Sequence, residues 1–170
     1  MAYGSAYNSV VCEEWHLFSN FKAWMEQQDW EGKELDKDLI GDGTLYSPET
    51  CLFVDPDLNK FLLDSRKSRG RLLVGVDFCK NAGYYRARCS YFGTSTYLGI
   101  FNTELDAHLA WVEFKTKALV EVLKNTDYLS DEVKEMIFKN KSNYFKNIHK
   151  TWQDNNVAKR VAKSEQGKGV

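Results

Sequence analysis

The sequence has no long apolar run, no close pair of cysteines and few histidines, and each shortage removes a class of function. No stretch approaches the ~18 consecutive apolar residues needed to span a membrane, so no membrane partner is expected. The opening MAYGSAYNSV holds neither a basic segment nor an apolar one, so no export signal is expected there. The chain reads as a soluble cytoplasmic protein. Cys12, Cys51, Cys79 and Cys89 form no CxxC pair, whereas a zinc site usually includes one close ligand pair. Disulfides are not expected in a reducing compartment, and the four read as small, half-buried apolar side chains. The only histidines, His16, His108 and His149, fall in separate elements, and no internal repeat is visible.

What is present suits a packed protein. The 170 residues are 43% hydrophobic and 14% aromatic, enough for one ordinary domain or two small ones and too apolar for wholesale disorder. A net charge of −1 conceals a division. Residues 1–60 carry 4 basic and 12 acidic groups, residues 61–100 carry 7 and 2, and residues 101–170 carry 12 and 10. The positive charge is concentrated after position 64, in DSRKSRGR and the strands beyond it. A polyanionic partner would engage there and be kept off the N-terminal third.

Residues 10–30 place Trp15, Phe18, Phe21, Trp24 and Met25 at three- and four-residue spacings, which predicts one amphipathic helix with an aromatic core face. LDKDLI and CLFV read as short strands around the Gly41–Gly43 turn, and Pro56 is a good first-turn residue for a short helix. Residues 65–72, basic and poor in apolar side chains, read as a linker. Three period-2 stretches follow, LLVGVDFCK, GYYRARCSYF and STYLGIF, divided by the turn sequences NAG and FGTS. Thr103 then caps a long helix with Ala107, Ala110, Trp111, Phe114 and Ala118 on one face. Ser130 caps a further helix with Val133, Ile137, Phe145 and Ile148 inward, and from Gln153 the apolar pattern is lost, so the end is expected to fray. The fold class is α+β: an N-terminal module, a three-stranded antiparallel sheet packed on one helix, and a C-terminal helix.

If Tyr85, Ala87 and Cys89 face that helix, then Tyr84, Arg86, Arg88 and Ser90 face outward together. Lys80 ends on the same side and Tyr97 joins from the third strand. A face of this composition suits nucleic acid, because arginine forks onto guanine while Lys, Ser and Tyr hold phosphates. An ordinary solvated sheet face would also be polar.

The run GVDFCKNAGYYRARCSYFGTSTYLGIFNTELDAHLAW resembles the AP2-type DNA-binding domain of plant transcription factors and many phage proteins. The matching landmarks are Gly75-Val76, Lys80, Arg86-Ala87-Arg88, Leu98-Gly99, Phe101, Thr103, Ala107 and Ala110, in order over about 50 residues. The resemblance implies a sheet laid in the major groove of double-stranded DNA, read by Lys80, Tyr84, Arg86, Arg88 and Tyr97. The basic linker residues Arg66, Lys67, Arg69 and Arg71 would add phosphate contacts. Asp77 departs from this pattern, since its charge repels phosphate unless an arginine neighbours it or it accepts from a cytosine amine.

The N-terminal third resembles the segment that precedes such a domain in phage homing endonucleases of the HNH class, through VCEEWHLFSNFKAWM, LDKD, YSPETCLFV and Asn59. That class needs a histidine at the end of the first strand to activate water, and a divalent cation to neutralise the leaving oxyanion. Here ELDKD stands where the histidine belongs, and GDGT supplies no asparagine. The resemblance therefore implies a degenerate HNH-like module over residues 1–64, the linker, an AP2-like domain over 73–124 and a helical extension over 125–170.

Three functions follow as expectations. One is a site-specific DNA-binding repressor that has lost cleavage, works beside DNA in a bacterial cytoplasm, needs no cofactor and binds an inverted repeat as a homodimer. Another is an active nuclease in which Asp36 and Asp38 hold Mg²⁺, with His16 as the nearest histidine in sequence. The last is a protein-binding inhibitor that uses the acidic, aromatic N-terminal third.

Overall fold

The computed structural model describes residues 10–63 and 72–166, with the backbone alone described at 91, 149 and 151–166. The fold is α+β, with a three-stranded antiparallel sheet and a C-terminal helix as the sequence predicts. Two compact units form, one from the described residues of 1–63 and 121–141, the other from those of 64–120 and 142–170. Among the described residues no helix is long and apolar enough to cross a membrane.

The first unit is built from short pieces. Strand β1 is Val10–Val11, followed by a 3-10 turn at Glu13–His16 and helix α1 at Phe18–Met25. Strands β2 (Glu34–Asp36), β3 (Leu45–Tyr46) and β4 (Leu52–Val54) lead into helix α2 (Pro56–Leu62). β1 pairs with β3 in parallel, and β2 pairs with β4 antiparallel. The single helix expected over residues 10–30 is therefore broken. The β-branched Val10 and Val11 take up strand pairing, with Val10 N–H and Cys12 N–H donating to the Thr44 and Tyr46 carbonyls. Leu17 is extended and offers no capping side chain, so α1 restarts only after it. Trp15 still packs on Phe21 and Trp24, and Trp24 stacks on Phe53 at 5.7 Å, so the aromatic spacing does make a cluster. The cluster is not all core: Leu17 and Phe18 are 65% and 70% exposed.

The second unit carries strands β5 (Val76–Cys79), β6 (Tyr84–Tyr91) and β7 (Thr94–Phe101), in the order β5-β6-β7. The β6–β7 turn is Phe92-Gly93, both at positive φ (44° and 77°), a two-residue hairpin whose twist matches the strands. Helix α3 (Glu104–Lys124) starts at Thr103, whose hydroxyl accepts from the Asp106 N–H and donates to the Asp106 carboxylate, 2.6 Å away. Helix α4 (Asp131–Gln166) starts at Ser130, whose hydroxyl accepts from the Val133 N–H. It runs past Gln153, where the sequence predicts fraying. No glycine or proline interrupts residues 131–166, and this stretch is rich in the helix former Lys.

Candidate nucleic-acid interface

The sheet has two chemically different faces, and the alternation of β6 creates them. Ala87 and Cys89 are buried, while Arg88 and Ser90 between and beyond them are exposed. Beneath the buried face lies Trp111 of α3, whose indole hydrogen-bonds the Cys89 thiol and whose ring stacks on His108 and meets Phe145 edge-on. His108 is fully buried and its Nδ1 lies 2.9 Å from the Val74 carbonyl, so this histidine ties helix to sheet. Gly75 sits at φ +80°, and a Cβ there would overlap the Trp111 ring, so only glycine lets the chain pass this close. Burial holds the Lys115 ammonium down at about 8, opposed by the nearby Cys89. The Leu73 N–H donates to Glu104, tying the start of α3 to the chain before β5. These contacts make the sheet a fixed platform.

The opposite face collects the residues singled out from the sequence. Arg86 lies across from Asp77 on one side and Ile100 on the other, and Arg88 lies across from Tyr97. The Asp77 carboxylate is not left to repel phosphate. Arg88 Nε donates to Asp77 Oδ2 at 2.6 Å and its terminal nitrogen pairs with the same oxygen. This meets the arginine-neighbour condition that sequence reasoning attached to Asp77. Arg86 Nε is shielded from solvent and has no hydrogen-bond partner among the described residues. Tyr84 lies opposite Cys79, and a hydrogen bond with the Cys79 thiol holds its hydroxyl above the ordinary tyrosine range, with the Arg86 charge opposing. Lys80 is exposed in the turn that Gly83 closes at φ +69°. Five of the expected contact residues, Lys80, Tyr84, Arg86, Arg88 and Tyr97, therefore lie on this face or at its edge. The other four, Arg66, Lys67, Arg69 and Arg71, lie outside the described residues.

Ile100 is the residue that sequence reasoning missed. Strict alternation along β7 would send Tyr97 and Ile100, three residues apart, to opposite faces. The register slips between Ala87 and Arg88: Gly99 pairs with Ala87, Tyr97 pairs with Arg88, and Leu98 is the extra residue. This β-bulge returns Ile100 to the same face as Tyr97. Gly99 at φ +134° makes the bulge possible, and an isolated strand glycine is the signal that could have revealed it. Ile100 also lines a shallow open groove with Phe101, Leu109 and Ala110, and Asp106 and Glu113 in the same groove place negative charge at this edge of the sheet.

The candidate catalytic residues of the first unit are arranged quite differently. Asp36 is buried, and its Oδ1 accepts from the N–H groups of Asp38 and Leu39 at 2.6 and 2.9 Å, so it caps the turn after β2. Burial pushes its carboxyl up, and the backbone donors and the Lys141 charge only partly offset this. Asp38 is paired with Lys37 at 2.6 Å. Lys141 lies in the field of both carboxylates, and its own burial pushes its ammonium down. From α4, Asn140 donates to the Leu39 and Ile40 carbonyls and clamps the turn from outside. His16 is exposed on the 3-10 turn, and Asn59 donates to Glu34 at 2.7 Å. One carboxylate thus holds backbone and the other holds a lysine. Among the described residues no three His, Cys, Asp or Glu side chains converge.

No protein-family model, curated protein or solved structure matches the chain.

Proposed function

We propose that the outer face of the β5-β6-β7 sheet binds double-stranded DNA site-specifically, and that the chain acts by occupying its site, as a repressor does, without cutting it. The observation that carries this reading is the shared outward placement of Arg86, Arg88 and Tyr97 on a sheet braced from behind by Trp111. A two-stranded β-ribbon fits the major groove, and forked arginine contacts to guanine supply sequence information there. Neutralisation of Asp77 by Arg88 removes the main electrostatic objection. The resemblance of residues 75–111 to AP2-type domains points the same way, as does that of the N-terminal third to a homing-endonuclease module stripped of its histidine. Cleavage is the weaker reading because Asp36 accepts from the turn backbone and Asp38 is paired with Lys37. One three-stranded face reads few base pairs, so we place a homodimer on an inverted repeat, which doubles the length read.

A second reading, protein capture by the first unit, draws on exposed Leu17 and Phe18 beside Glu13 and Glu14. A mobility-shift assay on selected duplexes, with and without Mg²⁺ or Mn²⁺, separates these functions. The DNA reading expects discrete, salt-sensitive complexes that remain uncut, and Arg86→Ala should weaken them about 10- to 100-fold. Metal-dependent nicks that Asp38→Asn abolishes would replace it with the nuclease. A stable protein complex that survives Arg86→Ala, with no shifted duplex, would replace it with capture.

A further inference from the structure

We infer that Ile100 is a specificity residue that reads the methyl group of a thymine, within a frame of guanine contacts made by Arg86 and Arg88. This rests on the DNA-binding reading above and gives that face a base-level prediction.

The argument begins with an apolar side chain in a polar place. Ile100 is 55% exposed, and its cross-strand neighbour on this face is Arg86. At the β7 edge Ile100 also lines the shallow groove with Phe101, Leu109 and Ala110, so its exposed surface joins the arginine-bearing face to an apolar strip. The side chain is outward because of the bulge at Leu98, which depends on Gly99 in a conformation that side-chain-bearing residues rarely adopt. Without that irregularity Ile100 would face α3 and the outward position would pass to its neighbours. A local backbone device therefore delivers this side chain to the cationic face.

In the major groove the apolar feature is the C5-methyl of thymine, and a branched aliphatic side chain is its natural contact. Spacing supports the assignment. Two residues along a strand advance roughly 6.7 Å, close to two base-pair steps of about 3.4 Å. Arg86 and Arg88 are two residues apart on β6, with Ile100 beside the first and Tyr97 beside the second. A strand following the groove would set one arginine-led contact about two base pairs from the other. The thymine would then lie next to the base pair met by Arg86. Arg88 is held in plane by Asp77, which orients its fork.

The test uses the full chain and the duplex that it selects from a random library. Each thymine of that site is replaced in turn by deoxyuridine, which removes only the methyl group. Loss of a buried methyl contact is worth about fourfold in affinity, so one substitution should weaken wild-type binding by about that factor. Ile100→Ala should bind the unsubstituted duplex about fourfold more weakly and lose nearly all sensitivity to that same uracil. Because Ile100 is exposed, this variant should fold, which circular dichroism checks. Selection of a site that tolerates every uracil would overturn the inference and leave the DNA-binding reading standing. Equal uracil sensitivity in wild type and Ile100→Ala would assign the methyl to another residue and overturn it as well. If no duplex is enriched, the underlying reading itself falls, and the inference with it.

Discussion

The two units treat their charges in opposite ways. In the first, the carboxylates that sequence reasoning marked for chemistry are tied up: Asp36 is buried under a turn that it caps, and Asp38 is held by Lys37. In the second, the arginines marked for binding stand on an outward sheet face, and the one nearby acid is turned into a brace for Arg88. The difference teaches how a group committed to the fold differs from one left open to a partner. A group whose lone pairs are already occupied by backbone serves the fold. A group held in place while its donors still face outward is ready for a partner.

The platform beneath the proposed binding face is the most sensitive point. Trp111→Ala removes the ring that Gly75, Cys89, His108 and Phe145 pack around, and should cost about 3–5 kcal/mol in a denaturant titration, abolishing DNA binding through loss of the sheet. Asp36→Ala comes next. It deletes two hydrogen bonds to the turn and should cost about 1–3 kcal/mol, whereas Asp38→Asn should change stability by less than about 1 kcal/mol because its pair is partly exposed. If Asp36→Ala were neutral, the carboxylate would not be a structural cap, and a chemical role would regain ground.

The buried lysine under the sheet gives a pH test. The folded-state pKa of Lys115 is about 8, below its ordinary 10.5, so between those values the unfolded chain binds more protons. Stability from this group therefore rises as pH climbs from 8 towards 10.5, by at most about 1.4 kcal/mol per pH unit. Thermal melts of wild type and Lys115→Met across that window should differ by this slope, the variant being flatter. The smallest effect concerns Asp77. Asp77→Asn leaves Arg88 without its counter-charge, so non-specific DNA affinity should rise and the slope of log K against log salt should steepen by about one ion. Site preference should weaken at the same time, because Arg88 loses its orientation.

Much of the second unit was legible in the sequence. Period-2 alternation in GYYRARCS separates Ala87 and Cys89 from Arg86 and Arg88, because successive side chains on a strand must point to opposite faces. Thr103 and Ser130 announce the helix starts, since the first-turn N–H groups need an acceptor within reach. Pro56 fixes the start of α2, and the uneven charge locates the cationic half. The first unit was less readable. The three- and four-residue spacing of Trp15, Phe21 and Trp24 is satisfied by a 3-10 turn and a short helix as well as by one long helix, because a cluster needs only that the rings meet.

By itself, then, the sequence determined the α+β order of elements, the two faces of the β5-β6-β7 sheet and the side on which positive charge gathers. Each of these follows from backbone periodicity or from groups within one helical turn. Only the tertiary structure decided that Arg88 pairs with Asp77 across the strands, that a bulge sends Ile100 outward, and that Asp36 turns inward. Those outcomes depend on register and on partners distant in the chain, as when Asn140 reaches the Leu39 carbonyl 101 residues away. Cross-strand register and long-range hydrogen bonds are fixed when the whole chain packs, and no short window of residues contains them.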